Sequence, residues 1–523
     1  MQAFKRGRCV PVQALQLILF ALSLVTLFIG NTAAADPPRV QKQPEKPGEL
    51  RPRITVSKNT THILQPLDAN GNVDYLAALN QMTSQGVTRE NNAAVPLFRA
   101  FGPGDVNPTL RSQFFKRLQI EPLPEQGEYL TDFAQFINKK LGWQEMGKHR
   151  ADLNQAMSEP WSKSELPLVA EWLANNQKAL QLVVEGTRRP KCYFPLVARA
   201  QGSLFEAPLP PVQGCRYAAR LLAVRAMQRL RDGKIDEAEQ DLLACHRLGR
   251  LVGRMPITSL VHALAGIAID GVAFQGDAAL MEYAHLSAPD ALAYQSKLRN
   301  LPPLPVMADA IDVSERFQFL DGVSLLARDK ETVLNFVGSR SGFADSPLAS
   351  KIVQEFRSRS ANWDEILRMG NEELDKMVAA ARQPTFPERR REFEALVREL
   401  RAAESETKVS GEPAAFTRRL GKLLALFVAR PCERCSEAET RARTRDTLDQ
   451  LGFALVAYRA EHPAFPEKLD ALAPKYIPHV PNDLYSERPL RYRRNGKGIV
   501  LDSVGANGKH EPSDDLTVRI PPK

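Results

Sequence analysis

Apolar residues recur every three or four positions over most of residues 75–430, which is the spacing of one buried helix face. The clearest pair of such stripes covers residues 215–230 and 235–252, with Gly233 in the short polar break between them. Two amphipathic stripes joined by a glycine-containing turn predict an antiparallel helical hairpin. Similar stripes predict further helices over residues 131–141, 167–184, 256–275, 289–299, 311–328, 363–382 and 388–404. We therefore expect a mainly α protein, with a large body of antiparallel helical hairpins over residues 54–435.

The pattern changes in the last part of the chain. A helical stripe through Leu448, Leu451 and Leu455 ends at His462-Pro463. Beyond it, residues 489–493 and 499–502 are short runs typical of strands, and Asn495-Gly496 between them is a strong signal for a tight β-hairpin. A helix followed by a hairpin predicts a small α+β module over residues 436–523.

The first residues have the pattern of a targeting signal. Three basic residues precede an apolar run over residues 12–29, and Ala33-Ala34-Ala35 follows it. This order predicts a secretory signal over residues 1–35, cleaved after Ala35. The alternative is an uncleaved anchor, because the run is close to the roughly 20 residues that span a bilayer. Residues 36–53 are rich in Pro, Lys and Arg and predict an extended linker. We expect an exported protein of the periplasm or cell envelope, with no membrane span after cleavage.

Charge argues against a nucleic-acid partner. The chain has 70 Lys and Arg and 61 Asp and Glu residues, a net charge of +9. Basic and acidic residues alternate within the predicted helices, as in residues 387–402, which is typical of solvated faces with i,i+4 pairs. The hydrophobic fraction of 43% is enough for a large core and excludes global disorder.

Few residues form a pattern that carries chemistry. The sequence has no nucleophile elbow, no zinc-protease motif, no phosphate loop and no dinucleotide fingerprint. Cys432 and Cys435 are the one compact reactive pair. A local disulfide that stiffens the junction before the module is expected in an oxidising compartment. Two free thiols, or a metal or redox role, remain alternatives.

Several segments resemble a set of exported proteins of planctomycete-type bacteria for which no activity is assigned. The segments include GVTRENNAAVPLFRAFGP, PWSKSELPLVAEWLANNQKAL, DLLACHRLGRLVG and the closing PKYIPHVPNDLYSERPLRYRRNGKGIVLDSVGANGK. The resemblance covers most of the chain. It implies export and an envelope setting, and it implies no reaction.

The C-terminal module is similar to the globular half of the major pseudopilin of type II secretion systems. The matching residues are Pro466, Leu469, Leu472, Pro481, Asp483, Tyr492, Ser503, Gly505, Asn507, Gly508 and Asp515. The resemblance implies a small sheet closed by a calcium-binding loop, with Asn507 and Asp515 at the ligand positions. The carboxylate of Asp514 is within reach and is a further candidate ligand. The alternative is a solvated turn held by hydrogen bonds between side chains and backbone. Pilus assembly is not expected, because roughly 400 residues precede the module and no peptidase site follows the basic head.

These observations favour a non-enzymatic interaction or scaffold protein of the cell envelope, whose helical hairpins bind a protein partner. One alternative is an accessory component of a type II secretion-like system. Another is a hydrolase acting on envelope polymers, which requires two close carboxyl groups with raised pKa values in a cleft.

Overall fold

The computed structural model describes residues 54–198, 204, 207, 212–254, 259–328, 360–405, 412–496, 498–511 and 514–521. The predicted signal over residues 1–35 and the predicted linker over residues 36–53 lie outside the described residues. The described chain is mainly helical and has a small antiparallel sheet near its C-terminal end. The predicted fold class is confirmed at this level.

The helices fall into two groups along the described chain, over residues 75–187 and 212–461. The first group is α1 (Tyr75–Thr83), α2 (Ala94–Phe101), α3 (Arg111–Leu118), α4 (Phe133–Leu141), α5 (Met146–Ser158), α6 (Pro167–Asn175) and α7 (Gln177–Thr187). The second group is α8 (Val212–Arg231), α9 (Ile235–Gly253), α10 (Leu260–Tyr283), α11 (Ala288–Arg299), α12 (Met307–Ala310), α13 (Arg316–Arg328), α14 (Trp363–Ala381), α15 (Phe386–Ser405) and α16 (Pro413–Glu461). A π-helical turn, Ile311–Glu315, joins α12 to α13.

The hairpin predicted over residues 215–252 is confirmed as α8 and α9, which pack against each other. Gly233 in the connecting turn has a φ of +73°, a backbone conformation that glycine adopts without steric cost. The single helix predicted over residues 167–184 is wrong, because the chain breaks into α6 and α7 at Asn176. The buried side chain of Asn176 accepts a hydrogen bond from Thr131 N (2.7 Å) and donates one to Trp172 O (2.8 Å).

The sheet consists of β1 (Arg491–Asn495), β2 (Gly498–Ser503) and β3 (Leu516–Ile520), in that order. The hairpin predicted at Asn495-Gly496 is confirmed, with Tyr492 opposite Leu501. The sequence analysis missed β3, whose Val518 pairs with Leu501 on the other edge of β2. Its residues alternate between buried and more exposed positions, which is the period of a strand.

Helix α16 crosses the predicted boundary between residues 435 and 436 without interruption. One apolar core contains body residues such as Phe98 and Leu222 together with module residues such as Leu501 and Val518. A second core contains Cys432 and Cys435 together with residues of α1 and α12–α15. The segments 54–435 and 436–523 therefore share buried surface and are joined by one continuous helix.

Candidate functional site

Two glycines bring α9 and α10 into backbone contact. A Cβ atom at Gly249 would lie 2.7 Å from Asp270 N, and one at Gly266 would lie 2.5 Å from Gly249 O. Neither position leaves room for a larger side chain, because the neighbouring atoms belong to backbone. This close crossing places His246, one turn before Gly249, against the aspartates of α10.

His246 is held between two carboxylates in the protein interior. Its Nδ1 lies 3.0 Å from Asp270 Oδ1, and its Nε2 lies 2.9 Å from Asp277 Oδ2. The hydroxyl of Tyr294, from α11, donates to Asp277 Oδ1 over 2.7 Å. Burial alone lowers the pKa of His246, but Asp277 and Asp270 outweigh it and raise this pKa to about 10.

A third carboxyl group reaches the same place from α16. Three potential ligand atoms lie within 4.8 Å of one another: a ring nitrogen of His246 and one carboxylate oxygen each from Asp277 and Asp449. Burial, followed by the charge of Asp277, raises the pKa of Asp449 well above its usual range. Within the described part of the chain, Oδ1 of Asp449 has no hydrogen-bond partner. We call His246, Asp270, Asp277, Asp449 and Tyr294 the buried network.

The hydrolase alternative requires its carboxyl pair in a cleft. Asp277 and Asp449 are close together, and the pKa of Asp449 is raised. Their exposed fractions are 0% and 4%, so a polymer has no contact with them. This arrangement does not supply the open carboxyl pair that the hydrolase alternative needs.

A basic cleft lies beside the buried network. It has a volume of about 910 Å³ and runs between the end of α7, α9 and α11. Its lining has no acidic side chain, and its basic residues are Arg188, Arg189, Lys191, Arg247, Arg250, Arg254 and Lys297. Arg250 touches both sites, because its Nε donates to Asp270 Oδ1 over 2.8 Å.

Only some of the basic side chains in this cleft have acidic partners. Arg189 pairs with Glu185, and Lys297 Nζ lies 2.7 Å from Glu239 Oε2. No carboxylate among the described residues forms an ion pair with Arg188, Lys191, Arg247 or Arg254. Burial lowers the pKa of Arg247, and the positive charge of Arg188 lowers it further. The cleft thus holds Arg188 and Arg247 near each other, and neither has an ion-pair partner among the described residues.

The structure brings the three predicted calcium ligands together in the loop before β3. Asn507 N donates to Asp514 Oδ2 over 2.8 Å, and Asp514 Oδ1 accepts from Arg441 over 3.1 Å. Glu511 N donates to Asp515 Oδ1 over 3.0 Å. These hydrogen bonds hold the loop in a turn, and calcium binding there remains a prediction of the pseudopilin resemblance.

The predicted disulfide between Cys432 and Cys435 is not formed. Both residues are free, fully buried thiols on α16, and burial raises the pKa of each. The prediction assumed a junction between two units, but the pair lies inside one helix. Cysteines three positions apart there face the same core and need no further stiffening.

Sequence reasoning missed both the buried network and the basic cleft. One signal was available, since Asp270 and Asp277 lie seven residues apart in a mostly apolar segment. That spacing puts two acids on one helix face, where they require buried partners. The cleft gave no such signal, because its residues come from three segments, 184–192, 240–254 and 297–302, that lie more than 40 residues apart in the chain.

Comparisons of the chain with protein-family models, with curated proteins and with solved structures find no match. Among the described residues, α10 is the one helix that is long and apolar enough to cross a membrane by length and composition. Most of its apolar stretch is buried inside the protein, as expected for residues 260–274 because they contain His262 and Asp270.

Proposed function

We propose that this protein is a non-enzymatic binding protein of the cell envelope, and that the basic cleft holds an acidic segment of a protein partner. The observation that carries the proposal is that Arg188 and Arg247 line one cleft, where the charge of Arg188 lowers the pKa of Arg247, and neither has an ion-pair partner among the described residues. Two guanidinium groups held together repel each other, and an anion between them removes that repulsion. The chain therefore gains more from an anionic ligand here than at isolated surface cations.

The size and chemistry of the cleft support a peptide ligand. A volume of about 910 Å³ accommodates several side chains of an extended segment. Guanidinium groups bind carboxylates through paired hydrogen bonds, which fix the orientation of the acid as well as its charge. Leu243, Leu251 and Pro302 add apolar surface to the lining, so the cleft suits acids interleaved with apolar residues.

The proposed export and envelope location rest on the predicted signal over residues 1–35. A protein partner belongs to the proposal because paired helices offer extended binding surfaces. The resemblance to pseudopilins supports an envelope setting and does not identify a ligand for the basic cleft.

The proposal is tested by the binding of a fluorescently labelled hexaglutamate peptide, followed by anisotropy. The double variant Arg188→Gln/Arg247→Gln should weaken binding at least about 10-fold, the loss expected from roughly 1.4 kcal/mol. The control Arg150→Gln/Arg519→Gln removes the same charge from exposed positions outside the cleft. If both double variants lose the same affinity for the peptide, binding depends only on the net charge of the protein, and the cleft is not the binding site.

A further inference from the structure

Three helices that are distant in sequence bring a nitrogen ligand and two oxygen ligands to one point of the core. His246 comes from α9, Asp277 from α10 and Asp449 from α16. Side chains on facing helices of a bundle are a common source of metal sites. The Nε2–Oδ2 distance of 2.9 Å between His246 and Asp277 is near the roughly 3.3 Å that separates two ligands of a tetrahedral ion with bonds of about 2.0 Å.

The surroundings of His246 orient it as a metal ligand. Asp270 forms a hydrogen bond with Nδ1 of the ring, and Nε2 is directed at Asp277. A histidine that binds a metal through one nitrogen usually donates the other N–H to a carboxylate or carbonyl. Tyr294 likewise occupies the oxygen of Asp277 that faces away from His246. Both ligands therefore have supporting partners that fix their orientation.

The Asp449 carboxyl group has an oxygen without a hydrogen-bond partner among the described residues. The residue is 4% exposed, and its Oδ1 has no partner among the residues described. A buried polar atom without a partner costs about 1–3 kcal/mol. A cation bound between Asp449, Asp277 and His246 gives that oxygen a partner.

The ligands suit a dication once the ion has displaced their protons. Asp270 has its own counter-charge in Arg250, whose Nε lies 2.8 Å away. Two carboxylates, those of Asp277 and Asp449, then offset the charge of one divalent ion bound by a neutral imidazole. One nitrogen and two oxygens suit a borderline ion such as Zn²⁺ better than Ca²⁺, which takes six to eight oxygens.

We propose that His246, Asp277 and Asp449 bind a divalent transition-metal ion, with Zn²⁺ the best fit, in the core between α9, α10 and α16. The role of this ion is structural, because the three ligands are enclosed and line none of the cavities described above. It fastens the C-terminal half of α16, and with it the sheet, to the helical body. The proposal stands independently of the ligand of the basic cleft.

The test uses the full chain, freed of metal by a chelator and titrated with Zn²⁺, Co²⁺ and Ca²⁺. Zn²⁺ should bind at one equivalent and raise the melting temperature, and Ca²⁺ at the same concentration should not. Co²⁺ should give visible d–d absorption without the near-ultraviolet band of a thiolate ligand, which separates this site from Cys432 and Cys435.

Asp449→Asn keeps the side-chain shape and should weaken Zn²⁺ binding by about 100-fold or more. The matched control is Asp446→Asn, one turn away on α16, whose carboxylate pairs with Arg250 and contributes no ligand. Circular dichroism of both metal-free variants establishes that they fold. Absence of stoichiometric binding to the wild-type chain, a thiolate band with Co²⁺, or equal affinity in Asp449→Asn would each overturn the proposal.

Discussion

Asp483 Oδ2 accepts a hydrogen bond from Val504 N over 2.9 Å and so ties the loop after Pro481 to the end of β2. Its other oxygen accepts from Tyr485 N (2.8 Å) and from Ser503 Oγ (3.0 Å). The carboxylate is 2% exposed and supplies the acceptors for three donors. It therefore fixes the C-terminal module from within.

We expect Asp483→Ala to lower the free energy of unfolding by about 2–4 kcal/mol. Each buried donor that loses its acceptor costs about 1–3 kcal/mol, and these costs are not fully additive. Urea unfolding followed by circular dichroism measures the change. Asp470→Ala, at an exposed position of the same region, is the control and should change stability by less than about 0.5 kcal/mol. Equal effects of the two substitutions would contradict the role of Asp483.

Glu315 should make the protein less stable as the pH rises. It is buried in the π-helical turn, where burial raises its pKa to about 7, although Leu260 N donates to it over 2.9 Å. The unfolded chain ionises near pH 4.5 and the folded chain only near pH 7. The stabilising contribution is therefore complete below about pH 4.5 and is lost as the pH rises to 7.

Glu315→Gln removes this dependence and should be more stable than wild type by roughly 3 kcal/mol at pH 8, with little difference at pH 4. Urea unfolding at several pH values measures the effect. The exposed control Glu121→Gln should follow the wild-type profile. A wild-type slope that persists in Glu315→Gln would assign the pH dependence to another group.

The cysteines should be unreactive in the folded protein. Cys192, Cys215, Cys245, Cys432 and Cys435 are all free and buried, and burial raises the pKa of each thiol. A thiol reagent such as Ellman's reagent should detect almost none before unfolding. In denaturant it should detect five if the chain is cleaved after Ala35, and six if Cys9 is retained. If the number of thiols detected in denaturant is lower by two, the predicted disulfide between Cys432 and Cys435 is present.

Calcium should leave the melting temperature unchanged, because the carboxylates of Asp514 and Asp515 already accept hydrogen bonds from the loop and from Arg441. Asp514→Ala should lower the melting temperature with or without calcium, since Asn507 N and Arg441 both lose an acceptor. Calorimetry in calcium and in chelator makes the comparison. A melting temperature that rises with calcium in wild type and not in Asp515→Ala would establish the calcium site that the pseudopilin resemblance implies.

Local patterns predicted the elements that depend on local chemistry. The stripes on either side of Gly233 predicted α8 and α9, and Asn495-Gly496 predicted the turn between β1 and β2. Prediction failed where the structure of a segment depends on contacts with residues distant in the chain. The break at Asn176 depends on Thr131, which lies 45 residues earlier. Strand β3 is fixed by pairing with β2 across the loop.

The sequence by itself determined a mainly helical chain, its principal hairpin and a small β-structure near the end, because hydrophobic spacing and turn residues act over a few positions. Tertiary structure alone decided that α16 joins both predicted units, that basic residues from separate segments form one cleft, and that His246 meets Asp277 and Asp449. These relations depend on which helices cross and how closely, as at Gly249 and Gly266. Such crossings are set by packing between segments distant in sequence, so no local pattern contains them.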